Sequence, residues 1–225
     1  MMPLEKKRLV ELLQGSTRRG AFELSSGKTS EYYLDCRQVT LNPDGLGIIC
    51  NHIWDEICRM KGKFNVNAVG GPAIGCIPIV SALVNKSSSV TGYMYLKGFF
   101  VRDVIKNHGL QKKIEGLVKS GDRVIIIDDV ITSGKSALEA AKAVMELGCE
   151  VNSIICVVDR LEGAKDLFNE NMIPFHPMLT IEDLGIFEVD KQSSKEDDKQ
   201  QSADEVINCS HLVHDAGWRK NVFDK

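Results

Sequence analysis

Hydrophobic and polar positions alternate along the chain in blocks that predict a mixed α/β fold. Residues 3–13 and 44–60 carry apolar side chains at helical spacing. Short apolar runs at 66–69, 90–96, 124–127 and 151–158 then alternate with helical segments at 77–84 and 135–147. This order is typical of a doubly wound, mainly parallel twisted sheet with flanking helices. The run at 124–127 is wholly apolar, which indicates a strand covered on both faces.

The two ends of the chain follow different patterns. Residues 22–35 form two short extended pieces around a Ser/Gly turn, which predicts a small hairpin or hood within residues 1–40. Residues 191–205 contain a single apolar residue, Ala203, and predict a polar, disordered linker. We therefore expect one domain over residues 1–190, followed by this linker and a tail at 206–225 whose role the pattern leaves open.

Composition and charge limit the classes of partner. The 28 basic and 31 acidic side chains give a net charge of −3, so neither nucleic acid nor a membrane surface is an expected partner. No run approaches the roughly 20 apolar residues that span a bilayer, and the N-terminus lacks a signal-peptide pattern. The seven cysteines lack regular spacing, which favours reduced thiols over disulfides or zinc sites and hence a cytoplasmic location.

Residues 124–136 carry the strongest chemical signal. They read Val-Ile-Ile-Ile-Asp-Asp-Val-Ile-Thr-Ser-Gly-Lys-Ser, which is a strand, two carboxylates where it leaves the sheet, and a turn that opens a helix. Backbone N–H groups and the helix dipole at such a turn favour a phosphate, and Gly134 permits close approach. Hydroxyl donors are available from Thr132, Ser133 and Ser136.

The carboxylates extend this interpretation to a sugar. Asp128 and Asp129 accept hydrogen bonds, and ribose hydroxyls donate them. A buried strand with an ordinary helix cap explains each part alone but not all parts in this order. A Walker-type loop is excluded, because that motif needs a glycine where this chain has Asp129.

The segment resembles the ribose-phosphate motif of the type I phosphoribosyltransferases. The likeness spans residues 4–184 and is strongest to the orotate-using branch of that family. Residues 22–35 resemble its base-binding hairpin, 70–77 its diphosphate loop, 102–116 its mobile catalytic loop, and 157–160 the strand end whose arginine faces the orotate carboxylate. The resemblance implies transfer of a phosphoribosyl group from 5-phosphoribosyl 1-diphosphate to orotate, through an oxocarbenium-like transition state.

The resemblance also implies roles for individual residues. The diphosphate substrate is expected at Arg102, Lys106, His108, Asp128, Asp129, Val130, Ile131, Thr132, Ser133, Gly134, Lys135 and Ser136, of which the first five are the expected catalytic residues. Orotate is expected at Ser25, Tyr32, Tyr33, Thr132 and Arg160. Mg²⁺ is expected as a cofactor held mainly by substrate and water, without a direct protein ligand. In the family the loop at 102–116 closes over the neighbouring subunit's site, which implies a homodimer.

Several of these residues have simpler explanations. Residues 97–123 hold seven basic and three acidic residues, a balance that a solvated loop also shows. Arg160 could instead form a surface salt bridge with Asp159 or Glu162. Tyr32 and Tyr33 suit core packing as well as stacking on a pyrimidine.

Three positions depart from the pattern of many family members, which carry lysine there. They are Ser25, Gly75 and Asp103. The first two also fit a branch of the family, whereas Asp103 places a negative charge where pyrophosphate should be held. Alternative functions are therefore phosphoribosyl transfer to another base, a non-catalytic protein that senses the diphosphate, and a paralogue inactivated by Asp103.

Overall fold

A computed structural model of the chain describes residues 1–23, 29–89, 95–102 and 113–186. Its helices are α1 (Pro3–Gly15), α2 (Arg37–Thr40), α3 (Pro43–Phe64), α4 (Cys76–Ser89), α5 (Lys135–Glu146) and α6 (Ala164–Glu170). Its strands are β1 (Thr17–Glu23), β2 (Thr29–Leu34), β3 (Ala68–Pro72), β4 (Lys97–Val101), β5 (Ile114–Gly116), β6 (Arg123–Ile131), β7 (Glu150–Asp159) and β8 (Phe175–Thr180).

Six strands form the central sheet, in the order β5-β4-β3-β6-β7-β8. All neighbouring pairs are parallel except β4 and β5, which are antiparallel at one edge. Helices connect the parallel strands, as a parallel sheet requires. The predicted fold class, a mainly parallel sheet with flanking helices and a small N-terminal hairpin, is confirmed.

The central strand β6 explains why the sheet is covered on both faces. Ile125 and Ile127 pack into a cluster with the apolar residues of α1, α3 and α4. The alternating residues Val124 and Ile126 pack into a second cluster with α5 and α6. A strand buried on both faces has no polar side to show, which accounts for its unbroken apolar run. Within the described ranges, no helix is long and apolar enough to cross a membrane.

The hairpin of β1 and β2 forms a separate two-stranded antiparallel sheet. Along β2 exposed and buried positions alternate, so that Ser30, Tyr32 and Leu34 share the buried face. This alternation is what a strand with one solvated face requires. The hairpin therefore presents a fixed set of side chains to the rest of the protein.

The structure corrects the position of β4. The prediction placed this strand at 90–96, whereas it lies at Lys97–Val101, and residues 90–94 are outside the described part. Lys97 was counted in a basic loop, but it begins this strand and pairs with the buried carboxylate of Asp122. The ion pair lets a lysine open a strand of the sheet, which apolar pattern alone does not reveal.

Two further boundaries were predicted too short or missed. Strand β6 continues past its apolar run, since Asp128 pairs with Cys156 and Ile131 with Asp159. The two carboxylates therefore lie within the strand and not after it. The end of the predicted catalytic loop forms the edge strand β5. Four elements were not predicted at all: α2, α6, β5 and β8.

Residues 191–225 lie outside the described part, so the linker and tail remain predictions.

Candidate active site

The carboxyl ends of the central parallel strands meet at one edge of the sheet. The loop after β3, the loop after β6 and the turn after β7 all begin there. The backbone N–H of Arg160, just beyond β7, donates to the carbonyl of Ile131 at the end of β6, at 2.9 Å. This hydrogen bond holds the two loops side by side. Open α/β sheets bind their ligands at this edge.

The loop after β6 encloses a cavity of about 430 Å³. It is lined by Asp128, Val130, Ile131, Thr132, Ser133, Gly134, Lys135, Ser136 and Ala137. Gly134 precedes the first turn of α5, whose N–H groups have no partner within the helix. The cavity thus combines outward N–H groups, hydroxyls and one lysine, which suits a phosphate. Of the residues predicted for the diphosphate substrate, the structure brings together Asp128 and 130–136 around this cavity. Arg102 and Asp129 do not line it, and Lys106 and His108 lie outside the described residues.

Gly134 is required by its conformation and by its packing. Its φ angle is +79°, a region that side chains disfavour, and an added Cβ would lie 2.7 Å from Cζ of Phe168. Phe168 is fully buried and packs edge-on against Phe175, at 5.0 Å between ring centroids. The aromatic core beneath the loop therefore fixes where the loop can run.

The two carboxylates of β6 lie against the loops of this edge. Oδ1 of Asp128 accepts the N–H of Asp129 at 3.0 Å, and Oδ1 of Asp129 accepts the N–H of Val130 at 2.9 Å. Burial raises the pKa of Asp129, and hydrogen bonds from Val130 and Asp128 oppose that rise in part. Removing carboxylates from water strengthens their interaction with any hydroxyl donor that reaches them.

The residues at this edge fit a magnesium ion held chiefly by a substrate. In the part of the chain that the structure describes, no group of three or more His, Cys, Asp and Glu side chains is arranged to hold a metal. Asp128 and Asp129 still offer the hard oxygen atoms that Mg²⁺ prefers, and this ion commonly uses one or two carboxylates together with phosphates and water.

The loop after β3 contacts this acidic pair through Gly75. A Cβ at position 75 would lie 2.3 Å from Oδ1 of Asp129. A lysine at this position does not fit this loop conformation while Asp129 keeps its place. A glycine at position 75 therefore leaves the space that the carboxylate of Asp129 occupies. The peptide bond between Ala73 and Ile74 in the same loop is cis.

Arg160, which was predicted to face the base, is buried, and its guanidinium contacts three side chains. Its side chain is 4% exposed, and Nε lies 3.0 Å from Oε1 of Glu162. Nη2 donates to the Ser30 hydroxyl at 3.1 Å, and the guanidinium carbon lies 4.5 Å from the ring centroid of Tyr32. The salt bridge with Glu162 considered from the sequence is thus present, and it joins a buried arginine to a partly exposed glutamate.

The two tyrosines occupy different positions. Tyr32 is buried under Arg160, whereas Tyr33 is 37% exposed. The hydroxyl of Tyr33 accepts from Nη2 of Arg37 at 3.2 Å, and its ring lies 5.7 Å from that of Phe22. Tyr33 therefore has a partly accessible ring, while the ring of Tyr32 packs against the guanidinium of Arg160.

The structure describes only part of the predicted catalytic loop. Arg102 lies just beyond β4, where its Nε donates to Glu115 of β5 at 2.6 Å and its guanidinium lies over the ring of Phe100. Lys106, His108, Asp103 and the base-side Ser25 lie outside the described residues. Their predicted roles therefore stay predictions.

Sequence reasoning missed Ser30 and did not assign Glu162 a role at the site. The signal for Ser30 was the alternation along β2, which places it on the same face as Tyr32. Glu162 follows the strand-end arginine by two residues, but only the turn after β7 decides that it bends back toward it.

A larger cavity of about 700 Å³ lies elsewhere, between β5 and α5. Its lining mixes Lys113, Glu115 and Glu146 with apolar side chains, and it includes no helix N-terminus. The smaller cavity is therefore the better candidate for a phosphorylated ligand.

Comparison with known proteins gives a consistent family. The model of the phosphoribosyl transferase domain matches residues 42–173. The orotate phosphoribosyltransferase of Rhodopirellula baltica is 41% identical over 170 residues, which are 75% of this chain and 87% of that protein. The Aquifex aeolicus orotate phosphoribosyltransferase is 36% identical over 188 residues, which are 82% of this chain and 100% of that protein. The crystal structure of Mycobacterium tuberculosis H37Rv orotate phosphoribosyltransferase in complex with 5-phospho-α-D-ribosyl 1-diphosphate aligns with a TM-score of 0.63 and 29% identity, over 81% of this chain and 99% of that one.

Proposed function

The chain belongs to the orotate phosphoribosyltransferases of the phosphoribosyltransferase family, and we propose that it transfers the phosphoribosyl group of 5-phosphoribosyl 1-diphosphate to orotate. The products are orotidine 5′-phosphate and pyrophosphate, a step of pyrimidine biosynthesis. One observation carries the proposal. Arg160, whose guanidinium is buried, is held at the start of the phosphate loop by the backbone hydrogen bond from its N–H to the carbonyl of Ile131.

This arrangement matches the two ends of the reaction. The loop at 132–136 and the first turn of α5 bind the 5′-phosphate through N–H groups and hydroxyls. Arg160 binds the carboxylate of orotate, since a guanidinium pairs with a planar carboxylate through two donors. The ribose lies between these two groups, where its C1 carbon faces the ring nitrogen of the base.

Asp128 and Asp129 serve the ribose in this proposal. As pyrophosphate leaves, C1 becomes electron-poor, and the ring nitrogen of orotate forms the new bond to it. Carboxylates that accept hydrogen bonds from the ribose hydroxyls stabilise this positive charge, because they are fixed before the reaction begins. Burial around Asp129 limits the water that could screen the interaction.

Mg²⁺ is the cofactor that we propose for this site. When bound, it would neutralise charge on the pyrophosphate and orient it against the ribose hydroxyls. Asp128 and Asp129 would hold it from the protein side, mainly through its water ligands. Their oxygen chemistry and the oxygen-rich substrate support this assignment.

We further propose that the loop at 102–116 supplies cations to the leaving pyrophosphate and reaches the site of a second subunit in a homodimer. Arg102, Lys106 and His108 are the groups concerned. The position of Arg102 at the end of β4, next to the site-bearing strand β3, supports this proposal. To act there, Arg102 has to leave Glu115, to which it is paired in this structure.

A cytoplasmic location is also proposed. The six cysteines of the described residues are free thiols, and five of them are buried. Free thiols persist in a reducing compartment, which supports this location.

The activity is tested by the loss of orotate absorbance with purified protein, diphosphate substrate and Mg²⁺. We expect turnover with orotate and none above blank with uracil or adenine. Turnover with another base alone would contradict the specificity. Diphosphate binding without turnover of any base would favour a sensor instead.

The loop is tested by Lys106→Ala. We expect turnover to fall by about 100-fold or more, the loss that follows removal of one preorganised charge-stabilising group. Near-normal turnover would remove Lys106 from this role.

Sharing of sites between subunits has its own test. Lys106→Ala and Asp129→Asn proteins are mixed after brief dissociation, and part of the wild-type activity should return. No return of activity in a mixture shown to contain mixed dimers would contradict a loop that crosses between subunits.

A further inference from the structure

Arg160 is held from three sides by residues of two distant parts of the chain. Ser30 and Tyr32 project from β2 of the hairpin, and Glu162 follows β7 in the turn before α6. We refer to Ser30, Tyr32 and Glu162 as the arginine clamp. All three contact the guanidinium, so its plane and direction are fixed by the protein.

Two residues of the arginine clamp, Ser30 and Tyr32, are themselves buried. Ser30 is 2% exposed, and its hydroxyl donates to the backbone carbonyl of Tyr32 at 2.8 Å while it accepts from Arg160. The ring of Tyr32 is buried under the guanidinium. Because its proton is directed to the carbonyl of Tyr32, the hydroxyl oxygen of Ser30 accepts from Arg160 and, at 3.4 Å, from the N–H of Tyr32.

The clamp leaves one side of the guanidinium for a ligand. Nε faces Glu162 and Nη2 donates to Ser30, whereas the described residues provide no hydrogen-bond acceptor for Nη1. The contact with Glu162 is a close charge pair, since the Nε–H is not aligned on the carboxylate oxygen. Nη1 is therefore the nitrogen that an incoming carboxylate can use.

We propose that Glu162 and Ser30 are positioning residues for the base: they hold Arg160 with its Nη1 edge toward the carboxylate of orotate. This inference rests on the proposed function and adds the groups that make Arg160 selective. A buried arginine without Glu162 has an uncompensated charge and loses one of the three contacts that hold its guanidinium. Either change misplaces the donors, and small misplacements in a site weaken binding strongly.

The test separates positioning from charge. In Glu162→Ala the KM for orotate should rise about tenfold or more, while kcat and the KM for the diphosphate change less than about threefold, since one charge-assisted contact is misplaced. Glu162→Gln keeps the length and an oxygen opposite Nε but loses the charge, so its KM for orotate should lie between the values for wild type and Glu162→Ala. Ser30→Ala, which removes one hydroxyl from a different element, should raise the same KM about threefold.

The matched control is Glu170→Ala, at the exposed end of α6, where both KM values should stay at wild-type levels. Thermal unfolding of each variant shows whether the fold is kept. Three results would overturn the clamp: an unchanged KM for orotate in Glu162→Ala, equal rises for Gln and Ala, or an equal rise in the KM for the diphosphate. The wild-type protein is measured first. Absence of orotate turnover there would overturn the proposed function and the clamp with it, whereas the three results above overturn the clamp alone.

Discussion

The proposed phosphate end and the proposed base end of the site are built in different ways. The phosphate end comes from one continuous strand, loop and helix, residues 128–137, and uses backbone N–H groups as much as side chains. The base end joins Ser30 and Tyr32 of the hairpin to Arg160 and Glu162 after β7. Backbone recognition tolerates any phosphorylated sugar, whereas side chains assembled from distant segments can select one base.

The two ends also depend on different parts of the fold. The phosphate loop depends on the core below it, because Gly134 approaches the ring of Phe168. The base end depends on the docking of a two-stranded hairpin, an element too small to be stable by itself. We therefore expect variants of the two ends to affect different substrates.

The largest effect is expected at the base end. Arg160→Ala should lower kcat/KM for orotate about 100-fold, because losing one partner of a buried charged contact costs roughly 2–5 kcal/mol. The KM for the diphosphate should change little. Steady-state kinetics with each substrate varied in turn measures both values.

Arg160→Lys sharpens this result. Lysine keeps the charge but not the planar fork, so it should restore only part of the loss. Full restoration by lysine, or an equal change for the diphosphate, would show that the two ends are not independent.

A smaller effect is expected at the phosphate end, and there it should concern the diphosphate instead of orotate. Gly134→Ala should raise the KM for the diphosphate about tenfold and lower the free energy of unfolding by about 1–3 kcal/mol, through backbone strain and the contact with Phe168. The KM for orotate should change less. Urea unfolding and the same kinetics give the measurements.

Gly121→Ala is the control for backbone strain alone. Gly121 has a φ angle of +82°, close to that of Gly134, but an added Cβ would meet nothing within 4 Å. We expect a loss of about 1 kcal/mol in stability and no change in either KM. A rise in the diphosphate KM for this variant would mean that general destabilisation, and not the loop, sets the affinity.

The smallest effect concerns stability and pH. Burial raises the pKa of Asp129 above its ordinary value of 3.8, so the folded state binds the proton more tightly than the unfolded state. Stability contributed by this group is therefore present at low pH and is lost as pH rises through the folded pKa. Asp128 and Arg37 face the same carboxylate and are unchanged by the substitution.

Asp129→Asn should therefore unfold a few degrees higher than wild type at pH 7, and the gain should vanish below about pH 4, near the ordinary pKa of 3.8. Turnover should fall in the same variant. Thermal scans at several pH values measure the first effect. A melting temperature that is lower at pH 7 would show that the charge stabilises the fold.

Much of the fold followed from local pattern. The wholly apolar run in β6 and the periodic apolar face of α5 are short-range signals: α5 lies where the pattern placed it, and β6 contains the predicted run but continues to Ile131. Strand β4 was misplaced, because Lys97 begins it through an ion pair with a residue far along the chain. The small elements α6 and β8 carry weak periodicity. Their positions are set by packing at the edge of the sheet, which β8 forms.

The phosphate site was determined by the sequence itself, since a strand, a glycine turn and a helix start are contiguous and their chemistry does not depend on distant residues. The proposed base site was decided by the tertiary structure. No spacing in the sequence relates Ser30 to Arg160, because 130 positions separate the two residues, and only the packing of the hairpin against the end of β7 brings the hydroxyl within 3.1 Å of the guanidinium. The turn after β7 places Glu162 3.0 Å from Nε of the same guanidinium, so the salt bridge considered from the sequence supports a buried arginine.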